Sequence, residues 1–235
     1  MARHRMILNH FSGACPLHAV APSNKLSLPP GSALRAGSFT YFSGVYVIAS
    51  SEHCQAYIDM VNGRELSRDE IKEIWSIDRS EVIDAVYYLD HGTLRLRSVH
   101  YVVPGWPPGE SEQSTPILEA CHDRDGWLYG LFDGQVLVGV AVLDSHFMGG
   151  SRDQLQLVFL HVSRPYRHHG TGQNLFKLAQ DEAVRRGARR LYISATPSQH
   201  TIDFYLRLGC VVTAELDQAL YELEPEDIHL ECTLG

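Results

Sequence analysis

The chain has 235 residues, 44% of them hydrophobic and 20% charged, with a formal net charge of −8. That is ample apolar material for the core of one generous domain, or of a smaller domain with an extension. The acidic balance argues against a nucleic-acid binder that works by neutralising phosphates, and no apolar run approaches the roughly 20 residues a membrane helix requires.

The charge is unevenly placed. Residues 1–60 hold four basic residues (Arg3, Arg5, Lys25, Arg35) against two acids (Glu52, Asp59), so the net for 61–235 is −10. The Pro/Ser/Gly-rich stretch 22–44 lacks helical periodicity, and residues 1–60 read as an N-terminal extension, poorly ordered or accessory, ahead of a folded domain at 61–235. An organelle transit peptide, an over-extended start before Met60, or an added edge element built on Val45, Tyr46, Val47 and Ile48 are the alternatives.

From Gly63 the pattern becomes regular. Arg64–Leu66 reads as a short strand, and Ser67-Arg68-Asp69-Glu70 as a capping box opening a helix with Ile71, Ile74, Trp75 and Ile77. The segment Glu81–Leu89, the turn Asp90-His91-Gly92 and the strand Thr93–Tyr101 come next. The Pro/Gly-rich loop 104–109 follows, and Thr115-Pro116 is expected to start a helix. Trp127–Phe132 and Gln135–Leu143 alternate about Asp133-Gly134, a hairpin signal. Leu155–Val162 reads as a strand, Gly170–Arg186 as an amphipathic helix stopped by Gly187, and Arg190–Ala195 as a strand. Ser198–Leu208 reads as a helix, Cys210–Ala214 as a strand, and Leu220–Leu223 and Ile228–Leu234 as strands that finish the sheet.

The five cysteines are scattered, odd in number and without a C-x-x-C pair, which points to free thiols in a reducing, cytoplasmic setting. The 13 histidines are dispersed; His168 and His169 are adjacent and so diverge, and no metal site is expected.

The chemistry concentrates in Leu155–Gly172, LQLVFLHVSRPYRHHGTG. An apolar strand leads to a turn with two glycines and then a helix N-terminus, which aims backbone N–H groups at an anion such as a nucleotide-like pyrophosphate. Gly170 and Gly172 let backbone approach closely, and Arg167 adds positive charge. A dinucleotide fingerprint would need glycine at Leu175, and a P-loop would need Gly-Lys-Ser/Thr. A second cue, Phe204-Tyr205-Leu206-Arg207-Leu208-Gly209, lies beyond the next strand.

In order, spacing and surrounding elements, Tyr166-Arg167-His168-His169-Gly170-Thr171-Gly172 and Phe204-Tyr205 with Leu208-Gly209 resemble the GCN5-related N-acetyltransferase (GNAT) superfamily, over about 63–234. Ile77–Glu81 and Glu224–Ile228 resemble a bacterial subgroup of it. The resemblance implies a mixed α/β (α+β) three-layer fold, a strongly twisted mixed sheet of about seven strands flanked by helices. It also implies acetyl-CoA as co-substrate, held by Leu160, His161, Val162, Arg167, His168, His169, Gly170, Thr171, Gly172, Gln173, Ser198 and Tyr205, with the pantetheine arm pairing to Leu160–Val162 backbone. Tyr205 matches the tyrosine that protonates the departing thiolate. Ser198 stands where asparagine is usual, and either bonds the cofactor or caps its helix.

An alkylammonium must lose a proton before it attacks. His161 is one candidate base, although strand alternation can bury it on the wrong face. Glu81, Glu110, Glu112 and Asp144 are alternatives acting through water, with Glu110 and Glu112 flanking a Trp106 loop able to cover an amine cleft. A base is not required if the amine is already neutral. The expected activity is acetyl transfer to a primary amine, a cationic small molecule before others, with a homodimer possible. A CoA-sensing or partner-binding module that kept the fold without turnover is the alternative.

Overall fold

The computed structural model describes residues 39–42, 45–48 and 61–235. Most of the expected extension, with Cys15 and Cys54, lies outside the described residues. Within it, β1 (Phe39–Phe42) and β2 (Val45–Ile48) pair antiparallel as a sheet of their own.

β3 (Val61–Glu65) leads into a 3₁₀ helix, Arg68–Ser76, opened by the expected box: the Ser67 N–H and hydroxyl both donate to the Glu70 carboxylate, at 2.9 and 2.8 Å. β4 (Glu81–Asp90) and β5 (Thr93–Val103) form a long hairpin that pairs with no other strand. Its tight turn uses positive φ at His91 and Gly92, the geometry that matches strand twist. Helix α1 spans Glu110–Asp123, so the expectation of a start at Thr115-Pro116 is corrected. Gly109, at φ 82, turns the chain into the helix, and the acids Glu110 and Glu112 favour its first turn. Pro116 therefore sits inside, and the Glu112 carbonyl four residues back forgoes its helical donor.

β6 (Trp127–Asp133), β7 (Val136–Met148) and β8 (Gln154–Val162) form a meander. Helix α2 (Thr171–Arg185), β9 (Arg190–Ala195), helix α3 (Gln199–Arg207), β10 (Val211–Val212), helix α4 (Gln218–Leu223) and β11 (Ile228–Thr233) complete the chain. Residues Leu220–Leu223 are thus helical rather than a strand, because the Asp217 carboxylate accepts from the Leu220 N–H and caps a turn.

Seven strands form one mixed sheet, ordered β10-β11-β9-β8-β7-β6-β3, with β8 and β9 the parallel pair. Alternation sends successive residues to opposite faces. Ala141 and Leu143 join Leu175, Phe176, Ala179 and Ile202 under α2 and α3, while Val140 and Val142 join Ile71, Ile74 and Leu118 under the 3₁₀ helix and α1. The result is three layers. Among the described residues no helix is long and apolar enough to cross a membrane, and Cys121, Cys210 and Cys232 are free and buried.

Candidate active site

The parallel ladder between β8 and β9 lasts three residues: Gln154, Leu155 and Gln156 pair with Arg190, Leu191 and Tyr192, and the strands then part. Beyond that point β8 stays tied to β7, with Val162 opposite Gly139 and the Ser163 N–H donating to Val138 O at 2.8 Å. In an antiparallel ladder the amides alternate sides. Since Ser163 and His161 face β7, the amides of Leu160 and Val162 face the gap opened toward β9. A ligand with amide groups can add itself there as a strand.

The turn beyond β8 ends at α2. His168 and Gly170 adopt positive φ of 65 and 83, which curls the backbone and turns successive N–H groups one way. The Arg167 amide bonds Arg164 O, and the Asn174 amide bonds Gly170 O. Between them, the amides of His168, Gly170, Thr171, Gly172 and Gln173 donate to no described residue. They combine the unsatisfied donors and positive end of α2 into an anion seat. Gly172 has Val162 and Phe204 side-chain atoms 3.5–3.8 Å from where a Cβ would sit, so the seat adjoins both β8 and α3.

Arg167 does not point its charge at this seat. Its guanidinium donates to Val162 O (2.8 Å), Ser80 O (3.2 Å) and Asp78 O (3.1 Å), and lies 3.9 Å from the Glu81 carboxylate. The expectation of a phosphate-contacting arginine is corrected: Arg167 ties the start of β4 to the end of β8. From there β4 runs along α3. Glu81 binds His200 Nε2 at 2.6 Å, Val86 bridges Ser198, the Tyr87 N–H donates to Pro197 O, and the Tyr87 hydroxyl donates to Asp203 at 2.8 Å. Burial alone would raise the Glu81 carboxyl, but His200, Arg167 and Arg79 outweigh it and hold it below the ordinary range. Ser198 lies wholly buried beneath this strap with its hydroxyl on Thr201 Oγ1 (2.8 Å). It neither reaches the gap nor caps α3 through its side chain.

Tyr205 packs against Phe176 and Phe204 on the α2 side of the sheet. It is 6% exposed, and its hydroxyl bonds no described residue. Burial, with Cys210 adding to it, pushes its phenol far above the ordinary value, so the hydroxyl keeps its proton.

His161 lies on the other face, packed edge-on against Trp106 and Phe159 at 4.8 and 5.2 Å. A ring edge stays open, yet desolvation by these aromatics, with Arg79 and Arg167 near, pushes its imidazolium down to about 3. It is a neutral imidazole, too weakly basic to hold an ammonium's proton. Trp106 donates from Nε1 to Ile77 O at 2.9 Å, with the Arg79 guanidinium over its ring.

The acids separate by helix face. Glu110, Ser114, Leu118 and Cys121 form the buried stripe of α1, and Ser114 donates to Glu110 at 2.7 Å. Glu112 projects from the exposed side and accepts from the hydroxyl of its neighbour Ser111. Asp144, half-buried on β7, holds Arg124 and His146. Two acids absent from the sequence-based candidates follow α4: Glu224, just past the helix, and Asp227, to which the Ser194 hydroxyl of β9 donates at 2.9 Å. Burial, then the hydrogen bond and charge of Asp227, then the charge of Glu110 push the Glu224 carboxyl up to about 9, only partly offset by Arg79. The Glu-Pro-Glu-Asp run was the available signal; its approach to Glu110 was not in the spacing.

A strand gap and an amide-lined turn at a helix N-terminus make a cleft suited to an extended ligand that carries an anionic group. The chain belongs to the GNAT acetyltransferase superfamily: residues 94–210 match the family model described as Acetyltransferase (GNAT) family. Solved structures carry the same fold. Nourseothricin acetyltransferase superposes with TM-score 0.57 at 22% identity, over 75% of this chain and 99% of that one. An acetyltransferase of Bacillus anthracis str. Ames, in complex with acetyl coenzyme A, gives TM-score 0.53 at 17% identity, over 74% and 98%. No curated protein sequence matches the chain.

Proposed function

We propose that this protein moves an acetyl group from acetyl-CoA to a primary amine of a small molecule by direct attack on the thioester. The observation that carries this reading is the set of uncommitted amides at the start of α2, in line with a β8 edge whose Leu160 and Val162 amides have no partner strand. The first grips a diphosphate; the second pairs with the amide-bearing pantetheine arm.

The steps follow from the groups present. An amide of β8 holds the oxyanion formed when the amine nitrogen bonds the thioester carbon. As the C–S bond breaks, the thiolate takes the Tyr205 proton. The burial that raises the phenol raises the thiolate's proton affinity as well, so the transfer stays matched. His161 contributes a neutral edge rather than a base. The nitrogen's proton leaves through water. Holding both substrates in one cleft supplies much of the acceleration.

Calorimetric titration with acetyl-CoA and a thiol-release assay across diverse amines test this. Binding together with amine-dependent thiol release is the expected result, and failure to bind acetyl-CoA refutes it. Binding without release on any amine favours a sensing module, a reading that draws support from the sealed Ser198.

A further inference from the structure

We propose that Cys210 and Cys232 form a redox pair, closed by a peroxide into a cross-strand disulfide that draws Tyr205 out of its working position. The effect on turnover rests on the transferase reading; the bond between the sulfurs does not.

The strand register brings the two thiols together. Glu231 and Leu230 of β11 pair with Val211 and Val212, so Cys232 falls opposite Cys210 where the chain enters β10. The Thr213 N–H donates to His229 O at 3.0 Å, which makes Thr213/His229, and with it Val211/Glu231, a hydrogen-bonded rung. Rungs alternate, so Cys210/Cys232 is of the non-hydrogen-bonded kind. The Cys210 amide agrees: it turns away from β11 and donates to Tyr205 O at 3.1 Å. At such a rung the Cα atoms stand about 4.5 Å apart, inside the span of about 4.4–6.8 Å that a disulfide tolerates. Residues opposite one another share a face, and both side chains enter the core under α2 together with Tyr205.

The surroundings make Cys232 the attacking sulfur. It receives a hydrogen bond from the Cys210 thiol, and Gln180 Nε2 of α2 donates to it at 3.4 Å. These donors outweigh burial and hold the Cys232 thiol below its ordinary value, while Cys210, the donor of the pair and itself buried, goes far above. Cys121 lies in the core on the opposite face of the sheet, out of reach of both. Access is by way of the sheet edge: β10 is the outermost strand, two residues long, with Val211 56% exposed, so this rung opens at little cost.

The Cys232 thiolate attacks one oxygen of hydrogen peroxide; the S–O bond forms, the O–O bond breaks, and the departing hydroxide takes a proton and leaves as water. Cys210 then attacks the sulfenic sulfur. The S–S bond forms, the S–O bond breaks, and the Cys210 proton leaves with the second oxygen as water. The two sulfurs lose two electrons and the peroxide gains them. Closure shortens the Cβ separation from the about 4.5–5.5 Å of a cross-strand pair to about 3.8 Å. Cys210 moves toward β11 and carries Tyr205 with it through the bond at Tyr205 O. A shift of about 1 Å at a reacting group costs about 10²-fold in rate. The β8 edge and the amides opening α2 lie outside this movement.

The test treats the full chain with a tenfold excess of hydrogen peroxide, then iodoacetamide, then trypsin. Residues 208–235 contain no lysine or arginine, so both cysteines leave in one fragment. That fragment is expected two hydrogens lighter, unalkylated, and restored by dithiothreitol. Dimedone should mark Cys232 in Cys210→Ser and leave Cys210 unmarked in Cys232→Ser. With an amine that is turned over, kcat should fall at least tenfold on oxidation of the wild type and less than twofold in Cys232→Ser, with acetyl-CoA affinity changed less than threefold in both. A fragment that takes two alkyl groups after peroxide, or that is joined to another peptide, overturns the pair; a closed disulfide with undiminished kcat overturns its hold on Tyr205. Reduced protein that acetylates no amine refutes the transferase reading and leaves the disulfide measurement standing.

Discussion

Replacing Arg167 with alanine separates two roles the sequence cannot distinguish. If the guanidinium served the pyrophosphate, its loss would weaken acetyl-CoA binding and leave the fold untouched. The structure instead gives it three backbone carbonyls, Val162, Ser80 and Asp78, at 2.8–3.2 Å. Hydrogen bonds from a charged donor contribute about 1.5–3 kcal/mol each when sealed, and the least here where water can replace them. These sites are part-buried to exposed, so about 3 kcal/mol in total is expected for Arg167→Ala. For a domain of this size that lowers Tm by about 6–12 °C. Lysine, one ammonium facing three diverging acceptors, should recover less than half. Differential scanning calorimetry reads the loss, and acetyl-CoA titration well below the new Tm reads affinity, expected to fall less than threefold. An unchanged Tm with a tenfold or greater loss of affinity would refute the strap assignment.

Gly172→Ala should do the reverse. Its Cβ would meet Phe204 and Val162 at ordinary contact distances, and alanine favours the helix by up to ~1 kcal/mol, so Tm should hold or rise. Acetyl-CoA affinity should fall tenfold or more because the methyl intrudes on the amide seat; equal affinity would place the diphosphate elsewhere. Tyr205→Phe should lower kcat by about 10²-fold or more with CoA affinity unchanged, read by steady-state kinetics beside calorimetry. His161→Gln should leave the pH profile of kcat/KM unshifted between pH 6 and 9, since an imidazolium held near 3 does not titrate there. Glu224, raised to about 9 in the folded chain against about 4.3 unfolded, contributes stability fully present below the lower value and lost as pH rises through the higher. Thermal melts of Glu224→Gln and wild type should therefore diverge from pH 5 to pH 9 in favour of the variant, and parallel curves would contradict the raised carboxyl.

What the sequence disclosed was local and periodic. The β8–α2 turn is contiguous, so its glycines and strand could be read from 155–172, and the structure leaves the amides of Gly170, Thr171 and Gly172 without a described acceptor. Elements set by a cap or a tight turn, the Ser67 box and the His91-Gly92 hairpin, were legible for the same reason. Pro116 misled because Gly109, a weaker signal seven residues earlier, begins the helix. Residues 220–223 misled because an Asp217 cap outweighed a short apolar run. Side-chain allegiance was out of reach. Arg167 stands where a phosphate contact is expected, yet the Asp78 and Ser80 carbonyls that claim it are more than 80 residues away in sequence.

The same logic separates the two halves of the proposed site. The donor half consists of backbone amides and one tyrosine, groups whose positions follow from two adjacent stretches of chain. The amine side draws Arg79, Trp106 and His161 from loops and strands that meet only through the sheet order. None of them announces the others through spacing. Side chains gathered in that way can alter the acceptor while the backbone amides of the donor side stay as they are.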